Sequence, residues 1–179
     1  MSGWNEHRIA SALCRQTFQR KCLLLVPNCN WTGHECDVLG VTGDLRVIDI
    51  EVKISRADLK ADAKKDKWWH RLSRWRDAHG PDQLMRWPPK VWKHYYALPA
   101  DIWMPALFDS LPSTASGVLL VRDRGTSVLS VESIRRATPN KDADKLSSGD
   151  AIDIARLANL RMWDAMSARW PSTRIAETT

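Results

Sequence analysis

LRVIDIEVKIS, residues 45–55, alternates aliphatic and charged side chains almost without a break. Successive side chains of an extended chain point to opposite faces. Ile48, Ile50, Val52 and Ile54 therefore fall on one face, and Val47, Asp49, Glu51 and Lys53 on the other. This predicts a strand with one apolar and one charged face. Residues 35–42, ECDVLGVT, read as its partner strand, with Gly43 and Asp44 marking a hairpin turn. Directly opposed residues of an antiparallel pair share a face, so the register decides whether the acids converge. A three-residue loop, Gly43-Asp44-Leu45, sets Asp37 opposite Glu51 and Glu35 opposite Lys53, with opposed Cβ atoms about 5 Å apart. A two-residue loop would set Asp37 against Ile50 and mix the two faces. The hydrophobic pattern selects the register that clusters the carboxylates.

Upstream, residues 4–20 place Ile9, Ala12, Leu13 and Gln16 at helical spacing, with Asn5 as cap. Residues 22–26, CLLLV, suit a buried strand that Pro27 ends. Downstream, Ser55-Arg56-Ala57-Asp58 has the pattern of a capping box and predicts a helix to about residue 77. On such a helix Arg56, Lys60, Lys64, Lys67, Arg71 and Arg74 stack along one face. Ala57, Ala61, Trp68, Leu72 and Trp75 form the adjacent apolar stripe, interrupted by Lys65, and Asp58, Asp62 and Asp66 a third. A basic ridge leading away from an acidic site is well placed to track a phosphate backbone; a merely solvated face is the alternative.

Residues 78–92 contain Gly80, Pro81, Pro88 and Pro89 and predict an irregular excursion. The segment 68–92 is rich in Trp, and Arg86, Trp87, Lys90, Trp92 and Lys93 interleave cations with indoles, which suits single-stranded or distorted nucleic acid as well as packing against the domain. HYYALP, GVLLVRD and SVLSVESIRRA read as further strands. The expected organisation is one domain over residues 1–139, a polar linker over 140–149, a helix over 150–170 packing on the same domain through Ile154, Leu157, Ala158, Met162 and Ala165, and a frayed tail over 171–179. Asp150 is the expected cap of that helix.

Lys and Arg outnumber Asp and Glu by 27 to 21, a formal charge of +6. That balance favours a polyanionic partner. The first residues are polar rather than a secretory signal, and no apolar run approaches the roughly 20 residues of a membrane span. The expectation is a cytoplasmic protein with no membrane partner; a homo-oligomer is compatible with the sequence. Cys14, Cys22, Cys29 and Cys36 are separated by gaps that do not form the tight knuckle of structural zinc sites, so reduced thiols are expected; a zinc-stabilised interaction domain using Cys22, Cys29, His34 and Cys36 is the competing reading.

Hydrolysing a phosphodiester requires charge neutralisation on the phosphoryl group and an activated water, which a carboxylate-held divalent cation supplies. Asp37 and Glu51 are the expected ligands of Mg²⁺ or Mn²⁺, with Glu35 as an additional one. Lys53, on the face of Glu51, is placed to stabilise developing negative charge. Asp49 as an edge-strand solubilising charge, Glu35 as a partner of Lys53 and Glu6 as a helix-start charge are the structural alternatives.

Asp37 followed by Glu51-Val52-Lys53 and then a capped helix resembles the PD-(D/E)xK nuclease superfamily. IEVKISRADLKAD, YYALPADI and GVLLVRD, in this order, look like the MmcB-like DNA repair family and related phage-type nucleases. The resemblance covers roughly residues 6–137. It implies an α/β fold with a restriction-endonuclease-like core, a mixed β-sheet flanked by helices, to which the apolar spacing of residues 150–170 adds a C-terminal helix. It further implies Mg²⁺ or Mn²⁺ dependence and phosphodiester hydrolysis, with Glu6 matching a first-helix glutamate beside the metal; DNA is the expected partner and RNA the other candidate. Cys36 stands where the signature has proline, and the Trp-rich excursion has no clear counterpart. A non-catalytic DNA-binding repair-accessory module that retains the fold is the alternative.

Overall fold

The alternation of residues 47–52 produces the central strand of the molecule. The computed structural model describes residues 3–70, 82–125 and 128–169. Strands β1 (Cys22–Cys29), β2 (Cys36–Thr42) and β3 (Val47–Val52) form an antiparallel meander. A short helix α2 (Arg56–Asp62) and a minor hairpin, β4 (Trp69–His70) with β5 (Gln83–Leu84), follow. Strand β6 (Lys93–Pro99) then pairs parallel to β3, β7 (Gly117–Arg122) parallel to β6, and β8 (Ser130–Arg135) antiparallel to β7. The result is a mixed six-stranded sheet in the order β1-β2-β3-β6-β7-β8. With the flanking helices α1 (Glu6–Leu13) and α3 (Ser148–Arg169), the fold class is the α/β architecture expected.

The hairpin register is the one the hydrophobic pattern selects. Val38 lies opposite Ile50, Leu39 opposite Asp49 and Gly40 opposite Ile48. The loop is residues 43–45, with Leu45 in the left-handed region at φ 61°, the geometry of a three-residue hairpin loop. Ile48, Ile50 and Val52 pack with Ile9, Leu13 and Phe18 of α1 and the π-helical turn after it, Cys14–Phe18. The opposite face carries two separate apolar clusters. One joins Val26, Leu39, Val41 and Val47 to Ile154 of α3, and the other joins Leu59 of α2 to Trp68, Tyr96, Leu98, Val118 and Leu120. Asp49, Glu51 and Lys53 sit on this second face, beside Val47 and between the two clusters.

Several expectations are corrected. The charged row is buried with the rest of β3, which rules out the alternative of Asp49 as an edge-strand solubilising charge. Ile54 follows the end of the strand and is 40% exposed rather than in the apolar row. β1 continues through Pro27 to Cys29; it is an edge strand, where a missing backbone donor is tolerated. The helix expected from residue 55 to about 77 keeps its Ser55 cap, whose Oγ accepts from the Asp58 amide, but ends at Asp62. Ala57 and Ala61 are exposed, and Leu59, Asp62, Lys67 and Trp68 turn inward instead. The physical reason is charge: burying Asp49 and Glu51 demands counter-ions in the same layer, and a continuous helix would hold Lys67 in water. Leu72 and Trp75 of the expected stripe lie outside the described residues.

The expected linker is docked. The Leu146 amide donates to the Leu45 carbonyl at 2.8 Å, and Arg46 Nη1 donates to the Ala143 carbonyl at 3.0 Å. At the start of α3, Ser147 Oγ accepts from the Asp150 amide while Asp150 accepts from Ser147, so Asp150 closes a capping box rather than being the cap itself. Ile154 is buried and Leu157 and Ala158 pack beside it, whereas Met162 and Ala165 are exposed. The expected tail, 171–179, lies outside the described residues. Among the described residues, no helix is long and apolar enough to cross a membrane.

Candidate metal site

The register that opposes Leu39 to Asp49 carries Asp37 to the position across from Glu51. Asp37 Oδ2 accepts a hydrogen bond from the Val52 amide at 2.6 Å, which fixes its carboxylate at the C-terminal end of β3. Burial, then the adjacent Glu51 charge, raise its pKa to about 6 against the opposing Val52 bond, and Glu6 at the start of α1 adds to the rise. Asp37, Glu51 and Glu6 thus share one acidic field. Glu35 precedes β2, is exposed, and has no place in the ion-pair group described below.

Glu51 is 1% exposed and Asp49 fully buried, and the groups around each favour its charged form against that burial. Lys53 Nζ lies 2.8 Å from Glu51 Oε2 and 3.3 Å from Asp62 Oδ1. Lys65 Nζ lies 2.9 Å from Asp62 Oδ1 and 3.5 Å from Glu51 Oε2. Lys67 is paired with Glu51 Oε1 and stands 3.8 Å from Asp62 Oδ2 and 3.9 Å from Asp49 Oδ2. Asp62 Oδ2 also accepts from the Tyr96 hydroxyl at 2.5 Å and from Trp68 Nε1 at 3.0 Å. Three carboxylates thus face three ammoniums in one layer. Burial alone would raise Glu51 and Asp62, but Lys67 first, and Lys53 with it, hold both below the ordinary carboxylate range. Burial likewise works to lower Lys53 and Lys67, and the acids around them outweigh it, so both stay firmly protonated.

The group meets solvent at two places, Asp37, which is half-buried, and Lys65, whose side chain is 49% exposed. Asp37 and Glu51 offer the hard oxygen donors that Mg²⁺ and Mn²⁺ prefer. The raised pKa of Asp37 marks a pair of acids whose joint ionisation a cation would favour. Asp37 and Glu51 are the residues that could hold a divalent cation, with Lys53, Lys65 and Lys67 as its competitors for Glu51.

On the sheet beside this group, His34 Nε2 lies 2.9 Å from Asp49 Oδ2, and Cys36 Sγ lies 3.9 Å from His34 Nε2. Burial works to raise Asp49, but the His34 hydrogen bond leads the effects that bring it to about 2. His94 of β6 pairs with Asp49 in the strand register, is fully buried, and is lowered to about 4 chiefly by that burial. Cys22 lies at the far end of β1, in the cluster under α1, so Cys22, Cys29, His34 and Cys36 are not gathered as one zinc site.

The predicted nucleic-acid residues divide. Arg56, Lys60 and Lys64 are exposed on or just after α2, and Arg56 Nε donates to the Ile102 carbonyl. Lys67 is buried in the ion-pair group and is corrected from a backbone contact to a counter-ion. Arg71 and Arg74 lie outside the described residues. The Trp87 indole donates to the Thr138 carbonyl at 3.0 Å, with Arg86 stacked 4.7 Å from its ring centre, so its polar edge is engaged within the domain.

Asp49, Asp62 and Tyr96 were not singled out in the sequence as site residues, and Asp49 is the most buried acid of a central strand. The available signal was Lys65, the cation that breaks the supposed apolar stripe.

No protein-family model matches the sequence, and no curated protein matches it. Among solved structures, the SPO1766 protein of unknown function from Silicibacter pomeroyi is similar, with a TM-score of 0.56 over 99% of this chain and 100% of that chain, at 20% identity. The two share a fold. At that identity the likeness carries nothing about chemistry.

Proposed function

We propose that this protein is a metal-dependent deoxyribonuclease of the PD-(D/E)xK type, acting in DNA repair or in phage or host DNA processing in the cytoplasm. The observation that carries the reading is the approach of Asp37, Glu51 and Lys53 at the end of the central strand, with Lys53 Nζ 2.8 Å from Glu51 Oε2. Asp37 and Glu51 would hold Mg²⁺ or Mn²⁺, which when bound neutralises charge on the phosphoryl group and acidifies a water. Lys53 is kept protonated by Glu51 and Asp62, so its ammonium is available to stabilise charge developing on a phosphate oxygen. Lys65, half in solvent, can leave Glu51 as phosphate or metal arrives. Arg56, Lys60 and Lys64 offer backbone contacts next to the strand end. DNA is the expected partner and RNA a second candidate substrate.

One observation favours the alternative, a non-catalytic DNA-binding repair-accessory module. Lys67 is buried against Glu51, where it competes with any cation. Incubation with single-stranded, duplex and branched DNA, and with RNA, in Mg²⁺, Mn²⁺ or EDTA decides between the two. Cleavage that requires the metal and is abolished by Lys53→Ala supports the nuclease. Cleavage that survives EDTA or Lys53→Ala overturns the mechanism, and binding without cutting supports the accessory module.

A further inference from the structure

We propose that His34, Cys36, Asp49 and His94 form a separate, closed transition-metal site that takes Zn²⁺. One donor atom each from His34, Cys36 and Asp49 lies within 4.8 Å of the others. His94 supplies the fourth. It is fully buried, its Nδ1 is 3.0 Å from Ser116 Oγ, and its Nε2 points toward Asp49 Oδ2 at 3.9 Å. Neither that Nε2 nor Asp49 Oδ1, both buried, has a hydrogen-bond partner among the described residues. In the tautomer whose Nδ1–H donates to Ser116 Oγ, Nε2 presents a lone pair to a carboxylate, an arrangement that a cation between them resolves.

The dimensions suit the ion. Donors bonded to tetrahedral zinc at about 2.0–2.3 Å stand roughly 3.3–3.7 Å from one another. The spacings within the group, 2.9 Å for His34 to Asp49 and 3.9 Å for Cys36 to His34, bracket that range, and His94, 3.9 Å from Asp49 but outside the 4.8 Å group, closes on the ion when it binds. Supporting contacts are present as well: Ser116 orients His94, and the Thr32 hydroxyl is 3.5 Å from Cys36 Sγ. On binding, the Cys36 thiol gives its proton to solvent and the thiolate bonds the metal, while the proton on His34 Nε2 passes through solvent to Nδ1, so that the Nε2 lone pair coordinates in place of the hydrogen bond to Asp49. Lys67, 3.9 Å from Asp49, keeps its partner Glu51. Four protein donors leave no open position, so the site is structural: it ties the loop before β2 to β3 and β6. Asp37 and Lys53 take no part in it.

The test is metal analysis of the full chain purified from zinc-supplemented culture, together with Co²⁺ titration followed by absorption. About one zinc ion per chain is expected, and Co²⁺ should give a thiolate charge-transfer band with intense tetrahedral visible bands. Cys36→Ser should abolish the band, whereas Lys53→Ala should retain both zinc and band. A metal content below about a tenth of an ion per chain, with a cobalt spectrum like that of the free ion, overturns the site. So does a charge-transfer band that persists in Cys36→Ser. The wild-type cobalt spectrum decides even if that variant does not fold, and neither result bears on cleavage at Asp37 and Glu51.

Discussion

Lys67 and Glu51, on separate elements of the second face of the sheet, form an ion pair closed to solvent, and Asp49 and Asp62 lie within 4 Å of the same ammonium. Lys67 is the counter-ion shared by every buried acid of the site. Removing one partner of such a group leaves uncompensated charge in a low-dielectric layer.

Lys67→Met should therefore lower folding stability by about 3–5 kcal/mol, read by urea unfolding of the full chain. A loss below about 1 kcal/mol would mean that Lys53 and Lys65 suffice.

The hydroxyl of Tyr96 tests the same layer from the neighbouring strand. Tyr96→Phe keeps the ring against Trp68 and His94 and removes only the donor to Asp62. Hydrogen bonds to charged groups contribute about 1.5–3 kcal/mol, and the variant should lose stability in that range. An unchanged urea midpoint would show that Trp68 alone satisfies that oxygen.

Asp37 sets a pH dependence of distinct sign. Its pKa in the folded protein, about 6, is above the ordinary 3.8, so its contribution to stability is fully present below that ordinary value and is lost as pH rises through about 6. Asp49, Glu51 and Asp62 act oppositely, since their lowered values make stability fall in acid. Asp37→Asn should make the metal-free protein more stable than wild type above pH 6 and erase the difference near pH 4. Thermal unfolding across this range measures it, and parallel curves for the two proteins would refute the assignment. Metal-dependent cleavage, on the nuclease reading, should rise as pH climbs through the same value.

Exposed cations next to the strand end make a prediction about binding. Lys60→Ala with Lys64→Ala should weaken DNA affinity and flatten the plot of log affinity against log salt by about two phosphate contacts. An unaltered slope returns those side chains to ordinary solvation.

The meander and its register were legible because aliphatic alternation over residues 47–52 leaves one way to bury the isoleucines. The strand identities of β6 and β7 followed from their apolar runs. Helix length after Ser55 was not legible. Cations at helical spacing satisfy the local rule for a solvated ridge, while the acids that draw Lys67 inward are distant in sequence and are recognised as buried only once β3 is known to be central. Asp37, Glu51 and Lys53 were found because they share one strand pair. Asp62, Tyr96 and His94 were missed because Asp62 and Tyr96 bond each other across the β3-to-β6 connection and His94 meets Asp49 of β3 and Ser116 just before β7, and long-range pairing has no local signature.

That connection has a kinetic consequence. β1, β2 and β3 are joined by short turns, so their hairpins close over small loops, whereas β3 and β6 meet only after a long stretch of chain, the one carrying Lys65 and Lys67, has been spanned. The carboxylates of β3 are thus expected to stay hydrated through the early steps and to lose water when their ammoniums dock. Interactions absent from the transition state act on the unfolding rate. Lys67→Met should accordingly unfold faster in stopped-flow experiments while refolding at nearly the wild-type rate; slowed refolding would place the ion pair in the folding nucleus instead.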